Sequence, residues 1–204
     1  LSHQQAGRVI LDWDFEGEHL AILQENSKDV IVWNLSSRRA HTVDIGFKDP
    51  SFLKWSRDSA QLAIGTCQGN LVLYSVDSRR KVPVIGKHTG TITCGGWSEE
   101  NVITLAADDK TMTFSKSSGE TLRQTSLGGM PVALQFAEQL DPEEDVDDLS
   151  SSKVETRRHS LVSVNIERKC IKIFDADGER DPVAVKFQSR HGKIKRYIWF
   201  DEGF

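Results

Sequence analysis

Residues 61–97 read QLAIGTCQGNLVLYSVDSRRKVPVIGKHTGTITCGGW, and this stretch decides the fold. Three short apolar runs are separated by glycine or polar turn residues, and a fourth run closes on Trp97. Within a run, apolar and polar residues alternate, as at Leu62 and Ile64, so one set of side chains per strand faces a buried layer. The stretch therefore predicts four short strands, joined by tight turns, within about 40 residues.

The same unit recurs along the chain. Near the end of each first strand stands an aromatic residue: tryptophans at 13, 55 and 97 are spaced by 42, Phe136 follows after 39, and Trp199 after 63. A second series closes each third strand at Trp33, Tyr74, Ser115 and Phe174. Four strands in a period of about 40 residues are typical of the blades of a WD40 β-propeller.

We therefore predict an all-β chain, a single partial WD40 propeller of about four and a half four-stranded antiparallel blades in an incomplete ring. The predicted blades cover approximately residues 8–47, 48–88, 89–128 and 129–190, with the start of a fifth at 191–204. No stretch keeps a 3.6-residue period, so we expect no helix beyond isolated turns. Because the blades do not close a ring, we expect exposed sheet edges through which an isolated fragment can self-associate.

The recurring residues have a structural interpretation. We expect the aromatic residues of the first strands to pack between neighbouring blades. His88 and His191 precede first strands, where a histidine can hydrogen-bond inward, and Asp108–Asp109 can cap the turn before a third strand. The predicted repeat positions are Trp13, Trp33, Trp55, Tyr74, His88, Trp97, Phe136, Phe174, His191 and Trp199.

Composition and motifs exclude several function classes. The 26 basic and 30 acidic residues give a net charge of -4, which offers no reason to expect nucleic acid as a partner. No apolar run approaches the roughly 18 residues of an integral membrane segment. No phosphate-binding loop, nucleophile elbow or zinc-protease motif occurs, so we predict neither an enzyme nor a cofactor. The three cysteines form no C-x-x-C pair and predict buried free thiols in a reducing compartment.

Residues 138–158 interrupt the fourth blade. The segment reads EQLDPEEDVDDLSSSKVETRR and has seven carboxylates before its first basic residue, Lys153. Self-repulsion and low hydrophobicity predict a disordered acidic insertion. Because it joins a first strand to a second, we expect it on the propeller face that also holds the turns between third and fourth strands.

Two of those turns are basic and lie one period apart. We expect five cations to come together there from adjacent blades: Arg38, Arg39, Arg79, Arg80 and Lys81. One interpretation is a solvated rim of no particular purpose. The other is a docking patch for an acidic partner, whose binding would weaken with added salt.

Four stretches carry a family resemblance: GNLVLY from 69, SRRKVPVIGKHTGTITCGGW from 78, ENVITLAADDKTMTFS from 100 and GETLRQT from 119. They resemble the first propeller of the large WD-repeat subunit of intraflagellar transport complex A, the WD-repeat protein nineteen family. The likeness runs from about Val9 to Thr125 and fades in the fourth blade. If it holds, the chain covers blades two to five of that propeller.

The resemblance implies a non-catalytic protein-interaction scaffold for retrograde ciliary or flagellar transport and for ciliary membrane-protein entry. Its partners would be other intraflagellar transport A subunits and ciliary cargo adaptors. Its location would be the cytoplasm and the cilium or flagellum, including the basal body and axoneme. The alternative is a vesicle-coat-like or cargo or lipid adaptor propeller that reads acidic tails or headgroups through the basic face.

Overall fold

The computed structural model describes residues 8–140, 158–178, 180–188, 190 and 192–199. These residues form four separate sheets of four antiparallel strands each and contain no α-helix. In every sheet the strands lie side by side in chain order. The predicted all-β fold class is confirmed.

Each sheet is one blade, and the blades are numbered along the chain. Blade 1 contains β1 (Val9–Trp13), β2 (His19–Gln24), β3 (Asp29–Asn34) and β4 (Arg39–Asp44). Blade 2 contains β5 (Pro50–Trp55), β6 (Gln61–Thr66), β7 (Leu71–Ser75) and β8 (Lys81–Val84). Blade 3 contains β9 (Ile92–Trp97), β10 (Ile103–Ala107), β11 (Thr111–Ser115) and β12 (Thr121–Ser126). Blade 4 contains β13 (Pro131–Leu140), β14 (Arg158–Ile166), β15 (Cys170–Asp175) and β16 (Val183–Lys186).

The middle strands of blades 2 and 3 are buried on both sides. In β6, Leu62, Ala63 and Ile64 are all fully buried although successive side chains point to opposite faces. The sequence pattern predicts only one buried side per strand. The structure buries both because each of these blades lies between two others.

Each hydrophobic core lies between two blades, at an interface that we call a seam. The first core contains Val32 of blade 1 and Trp55 of blade 2, and the second contains Phe52 of blade 2 and Trp97 of blade 3. The third contains Phe114 of blade 3 and Phe174 of blade 4. The blades therefore stabilise one another through apolar burial at the seams.

Within the described residues the ring is open. The first strand of each blade contacts the first strand of the next, from blade 1 to blade 4. The side of blade 1 that faces away from blade 2 is apolar and uncovered: Val9 is 49%, Leu11 58% and Trp13 46% exposed. The predicted incomplete ring is confirmed.

The long hairpin of blade 4 holds both ends of the predicted acidic insertion. β13 and β14 stay paired as far as Leu140, which lies opposite Arg158. Residues 138–140 and Arg158 therefore belong to strands. Residues 141–157, the rest of that segment, lie outside the described residues.

Residues 192–199, predicted to open a fifth blade, belong to no sheet, because no further strand among the described residues pairs with them. They lie against the side of blade 4 that faces away from blade 3. There Gln135 Nε2 donates to the carbonyl oxygen of Tyr197 at 2.8 Å, and the Tyr197 hydroxyl donates to that of Ser163 at 2.8 Å.

Candidate partner-binding surface

The β3–β4 turn of blade 1 and the β7–β8 turn of blade 2 have corresponding geometry. Arg38 and Arg79 hold the same position in these turns and both adopt a left-handed backbone, with φ of 54° and 53°. In blade 1 the turn is fixed by Asn34, whose Oδ1 accepts a hydrogen bond from the Ser37 amide at 2.8 Å. The repeat therefore presents a pair of arginines at the same face of two adjacent blades.

A cleft of about 470 Å³ opens between these two turns. Blade 1 lines it with His19, Asn34, Ser37, Arg39, Ala40 and His41, and blade 2 lines it with Val76 and Arg79. None of these residues is acidic. We call this space the inter-blade cleft.

The five predicted cations divide into three groups. All four arginines are exposed, and Arg39 and Arg79 also line the inter-blade cleft, whereas Arg38 and Arg80 do not. Lys81 Nζ instead donates a hydrogen bond to the carbonyl oxygen at the end of β4, 2.6 Å away. Among the described residues, none of the four arginines forms an ion pair. Two of the five predicted cations, Arg39 and Arg79, therefore line the same cleft, and the docking patch stays a prediction.

His41 links the cleft to the core of blade 2. Its Nε2 lies 3.0 Å from the hydroxyl oxygen of the buried Tyr74. Burial lowers the pKa of His41, and the charge of Arg79 lowers it further, so the ring is neutral at pH 7. In the tautomer whose Nε2 accepts from the Tyr74 hydroxyl, the ring proton sits on Nδ1 and is available as a donor.

His19, by contrast, has no donor to spare. Its Nδ1 lies 2.8 Å from Asp14 Oδ2, and its Nε2 accepts from Asn34 Nδ2 at 3.1 Å. Glu18 supports the same turn by accepting from the Ser36 hydroxyl at 2.9 Å, and this hydrogen bond lowers the pKa of Glu18. These contacts fix one wall of the cleft.

Trp55 and Trp97, on the first strands of blades 2 and 3, lie in the seams. Trp55 Nε1 donates to the carbonyl oxygen of Asp12 at 3.0 Å, and Trp97 Nε1 donates to that of Lys54 at 3.1 Å. Trp199 Nε1 donates to Ser163 Oγ at 2.6 Å, across the far side of blade 4.

Trp13 differs from this pattern. Each seam tryptophan turns toward the preceding blade, and the described residues contain no blade on that side of Trp13. It is therefore 46% exposed instead of lying between blades, and its ring meets Trp33 edge-on, with centroids 6.2 Å apart. Phe136 is half-buried and faces Gly96 of blade 3.

The residues that close the third strands are more deeply buried in blades 2 to 4 than in blade 1. Trp33 is half-buried, whereas Tyr74 is 3% and Phe174 4% exposed. Ser115, which replaces an aromatic residue in blade 3, is fully buried. The series therefore contributes to the seam cores in blades 2 and 4.

His88 ties three parts of the structure together. Its Nδ1 lies 3.1 Å from Asp109 Oδ2 in the β10–β11 turn, and its Nε2 lies 3.0 Å from Thr113 Oγ1. Burial lowers the pKa of His88, although the charge of Asp109 opposes the shift. Asp109 also accepts hydrogen bonds from the amides of Thr89 and Thr111 at 2.9 Å each, as a turn cap would. His191 lies outside the described residues.

Sequence reasoning missed the acid that faces the second blade. The Asp12 carboxylate pairs with Lys54 Nζ and accepts from the Trp55 amide at 2.8 Å. A signal was present, because Asp12 and Lys54 occupy the same repeat position and carry opposite charges. His41 was missed because it lies on no recurring position. Asn34 was missed as a turn-fixing residue although it follows Trp33 as Ser75 follows Tyr74, and both side chains accept from the amide three residues on.

All three cysteines are free, but the predicted burial holds for one of them. Cys94 is buried, Cys170 is intermediate and Cys67 is exposed. Cys67 escapes burial because it follows β6 and lies in the turn before β7. In the part of the chain that the structure describes, no His, Cys, Asp or Glu cluster could hold a metal, and no helix is long and apolar enough to cross a membrane.

Known proteins resemble this chain in sequence and in fold. It is 35% identical to mouse WD repeat-containing protein 19 over 96% of its own length, and 30% identical to the WD repeat-containing protein dyf-2 of Caenorhabditis elegans over 97%. The chain spans 14% of the length of these relatives. A chain in the crystal structure of the mitotic checkpoint complex superposes with a TM-score of 0.63, covering 91% of this chain and 57% of that one. The two chains are 17% identical in sequence, so this likeness concerns the fold alone.

Family membership follows from the match of a family model to nearly the whole chain. The model, described as the WDR19 first beta-propeller, covers residues 2–204. It includes the four blades, the seams between them and both basic turns. The chain belongs to the WDR19 first beta-propeller family.

Proposed function

We propose that the chain is part of a non-catalytic protein-interaction scaffold in the intraflagellar transport A complex. Its role would be retrograde ciliary or flagellar transport and entry of membrane proteins into the cilium. The partners would be the other subunits of that complex and ciliary cargo adaptors. The protein would act in the cytoplasm and the cilium or flagellum, including the basal body and axoneme. The observation that carries the proposal is the family match over residues 2–204.

The architecture supports a scaffold role. Each seam joins a continuous apolar core to hydrogen bonds between blades, such as that from Ser51 Oγ to the Ile92 carbonyl oxygen at 2.7 Å. Such seams hold surface turns in fixed relative positions, so a partner can bind turns from several blades at once. Exposed arginines stand in such turns, as Arg38 does in the β3–β4 turn and Arg79 in the β7–β8 turn.

Affinity purification of the full-length protein tests this proposal. A tagged copy at its own locus in ciliated cells should recover intraflagellar transport A subunits in near-equal amounts, and fluorescence should move along the axoneme toward the base. Recovery of vesicle-coat subunits in their place, with no axonemal signal, would contradict the proposal.

A second candidate function is an adaptor that reads acidic tails or lipid headgroups through the basic surface. The exposed arginines favour it, because Arg38, Arg39, Arg79 and Arg80 form no ion pair within the described residues, while Lys81 is held at the backbone of β4. Flotation of the full-length protein with anionic liposomes at low and high salt tests the lipid form of this proposal. Binding that is absent at both salt concentrations would exclude that form.

A further inference from the structure

We propose that the inter-blade cleft binds the phosphate group of a phosphorylated serine or threonine in a partner peptide. This inference goes beyond the transport role, since the scaffold function stands whether or not the cleft holds a phosphate. It rests on charge, on the available hydrogen-bond donors and on the shape of the cleft.

The charge of the cleft runs against the composition of the chain. Acidic residues outnumber basic ones by 30 to 26, yet no acidic residue lines the cleft. Arg39 and Arg79 both reach it, one from each blade, without a carboxylate partner among the described residues. Two unpaired guanidinium groups around one space favour an anion that neutralises both.

The available donors match a phosphate better than a carboxylate. A phosphoserine carries a charge of about -1.5 to -2 and three acceptor oxygens, whereas a carboxylate carries one charge and two oxygens. The two guanidinium groups can each offer a planar pair of N–H donors. The Ser37 hydroxyl can complete the shell, as can His41 Nδ1–H in the tautomer whose Nε2 accepts from Tyr74, and neither has another hydrogen-bond partner among the described residues.

The neutral state of His41 suits this role. Its Nε2 lies 3.0 Å from the Tyr74 hydroxyl oxygen, and this contact fixes the orientation of the ring. The charged and titratable groups around it are Arg39 on its own strand, His19 on β2, and Arg79 and Tyr74 from blade 2. Arg39 and Arg79 are the two arginines among the residues that line the cleft, one from each blade.

The shape of the site favours a peptide over a bilayer. The volume of about 470 Å³ exceeds that of one phosphate group, and Ala40 and Val76 give it small apolar walls for neighbouring peptide residues. A flat membrane reaches cations that project from a surface. All four arginines are exposed, so a flat membrane has no reason to prefer Arg39 and Arg79, whereas a peptide that enters the cleft contacts these two, which line it.

Degenerate peptide pools test the proposal without knowledge of the partner. Three pools share random flanks around a fixed phosphoserine, serine or glutamate, and binding to the recombinant full-length protein is measured by biolayer interferometry. We expect the phosphoserine pool to bind at least ~10-fold more tightly than the other two. The R39Q/R79Q variant should lose at least ~10-fold of that affinity, because both charge-assisted contacts disappear.

The matched control is R38Q/R80Q, which removes the same charge from the same two turns but leaves the cleft lining intact. It should bind the phosphoserine pool within ~2-fold of the unchanged protein. The R39K/R79K variant keeps the charge but loses the planar arrangement of N–H donors, so we expect an intermediate loss of affinity for the phosphoserine pool. This variant replaces R39Q/R79Q in the comparison if R39Q/R79Q melts at a lower temperature than the unchanged protein.

Three outcomes would overturn the proposal. The first is equal binding of the phosphoserine and glutamate pools, and the second is an equal loss in R39Q/R79Q and R38Q/R80Q. The third is binding to phosphatidylserine vesicles that depends on Arg38 and Arg80, with no preference among the peptide pools.

Discussion

Trp97 Nε1 donates a hydrogen bond to the carbonyl oxygen of Lys54, 3.1 Å away on the first strand of the preceding blade. The ring is 2% exposed and belongs to the core of the seam between blades 2 and 3. Trp97→Ala should lower the free energy of unfolding by about 3–5 kcal/mol through lost burial and a cavity. Urea denaturation followed by circular dichroism measures the change.

Trp13→Ala is the matched control for that measurement. Trp13 occupies the same repeat position but is 46% exposed, so its loss should be about 1 kcal/mol. Equal losses at the two positions would contradict a seam that depends on buried rings.

Acid should destabilise the protein through His88. Burial lowers the pKa of His88 in the folded state below its ordinary value of 6.5. Below pH 6.5 the unfolded chain binds a proton that the folded chain resists, so stability is complete above that value and falls as the pH approaches the folded pKa. Denaturation midpoints measured at intervals from pH 7.5 to 5 should decline in this window.

Two variants test which histidines cause the loss of stability in acid. The pKa of His41 is also lowered, by burial and by Arg79, so H88Q should flatten the decline and H88Q/H41Q should flatten it further. A full decline in the double variant would show that other groups bind the protons.

Cysteine labelling should follow exposure. Burial raises the pKa of Cys94 to about 12, so almost no thiolate forms near pH 7. Brief treatment with iodoacetamide should modify the exposed Cys67 first, and Cys94 only after unfolding in urea. Peptide mass spectrometry gives the order, and early modification of Cys94 in the folded protein would contradict the seam structure around it.

The isolated 204-residue chain should associate through the uncovered side of blade 1. Val9, Leu11 and Trp13 form an apolar row that invites pairing. Leu11→Glu should shift sedimentation-velocity profiles toward the monomer across a concentration series. Val82→Glu, at a position on β8 that is 45% exposed, serves as the control and should leave association unchanged. Association that persists in Leu11→Glu would place the contact elsewhere.

The period of the aromatic residues predicted the blades because each seam requires one large ring from each first strand. Trp55 and Trp97 follow this rule. Trp13 obeys the same period but stays exposed, since a repeat position is buried only if a neighbouring blade covers it. Burial at the ends of an arc therefore depends on tertiary contacts that the period alone does not contain.

The basic turns show a similar division. Their spacing predicted that Arg38 and Arg79 share a face, because one period separates them. It could not predict that Arg39 and Arg79, instead of Arg38 and Arg80, line the cleft. Side-chain direction at these positions depends on the left-handed backbone at 38 and 79 and on how the two sheets are inclined. Those are properties of the assembled seam.

The positions of Arg39 and Arg79 on separate sheets have a mechanical consequence. Only the first seam sets the gap between the two guanidinium groups, so a ligand that bridges them acts as a staple across it. Binding and separation are coupled: separation of blades 1 and 2 lowers the binding free energy of the ligand by the same amount that the bound ligand adds to the free energy of separating the blades. Mechanical tension on the propeller would then lower the occupancy of the cleft, and a bound ligand would raise the force needed to separate the blades.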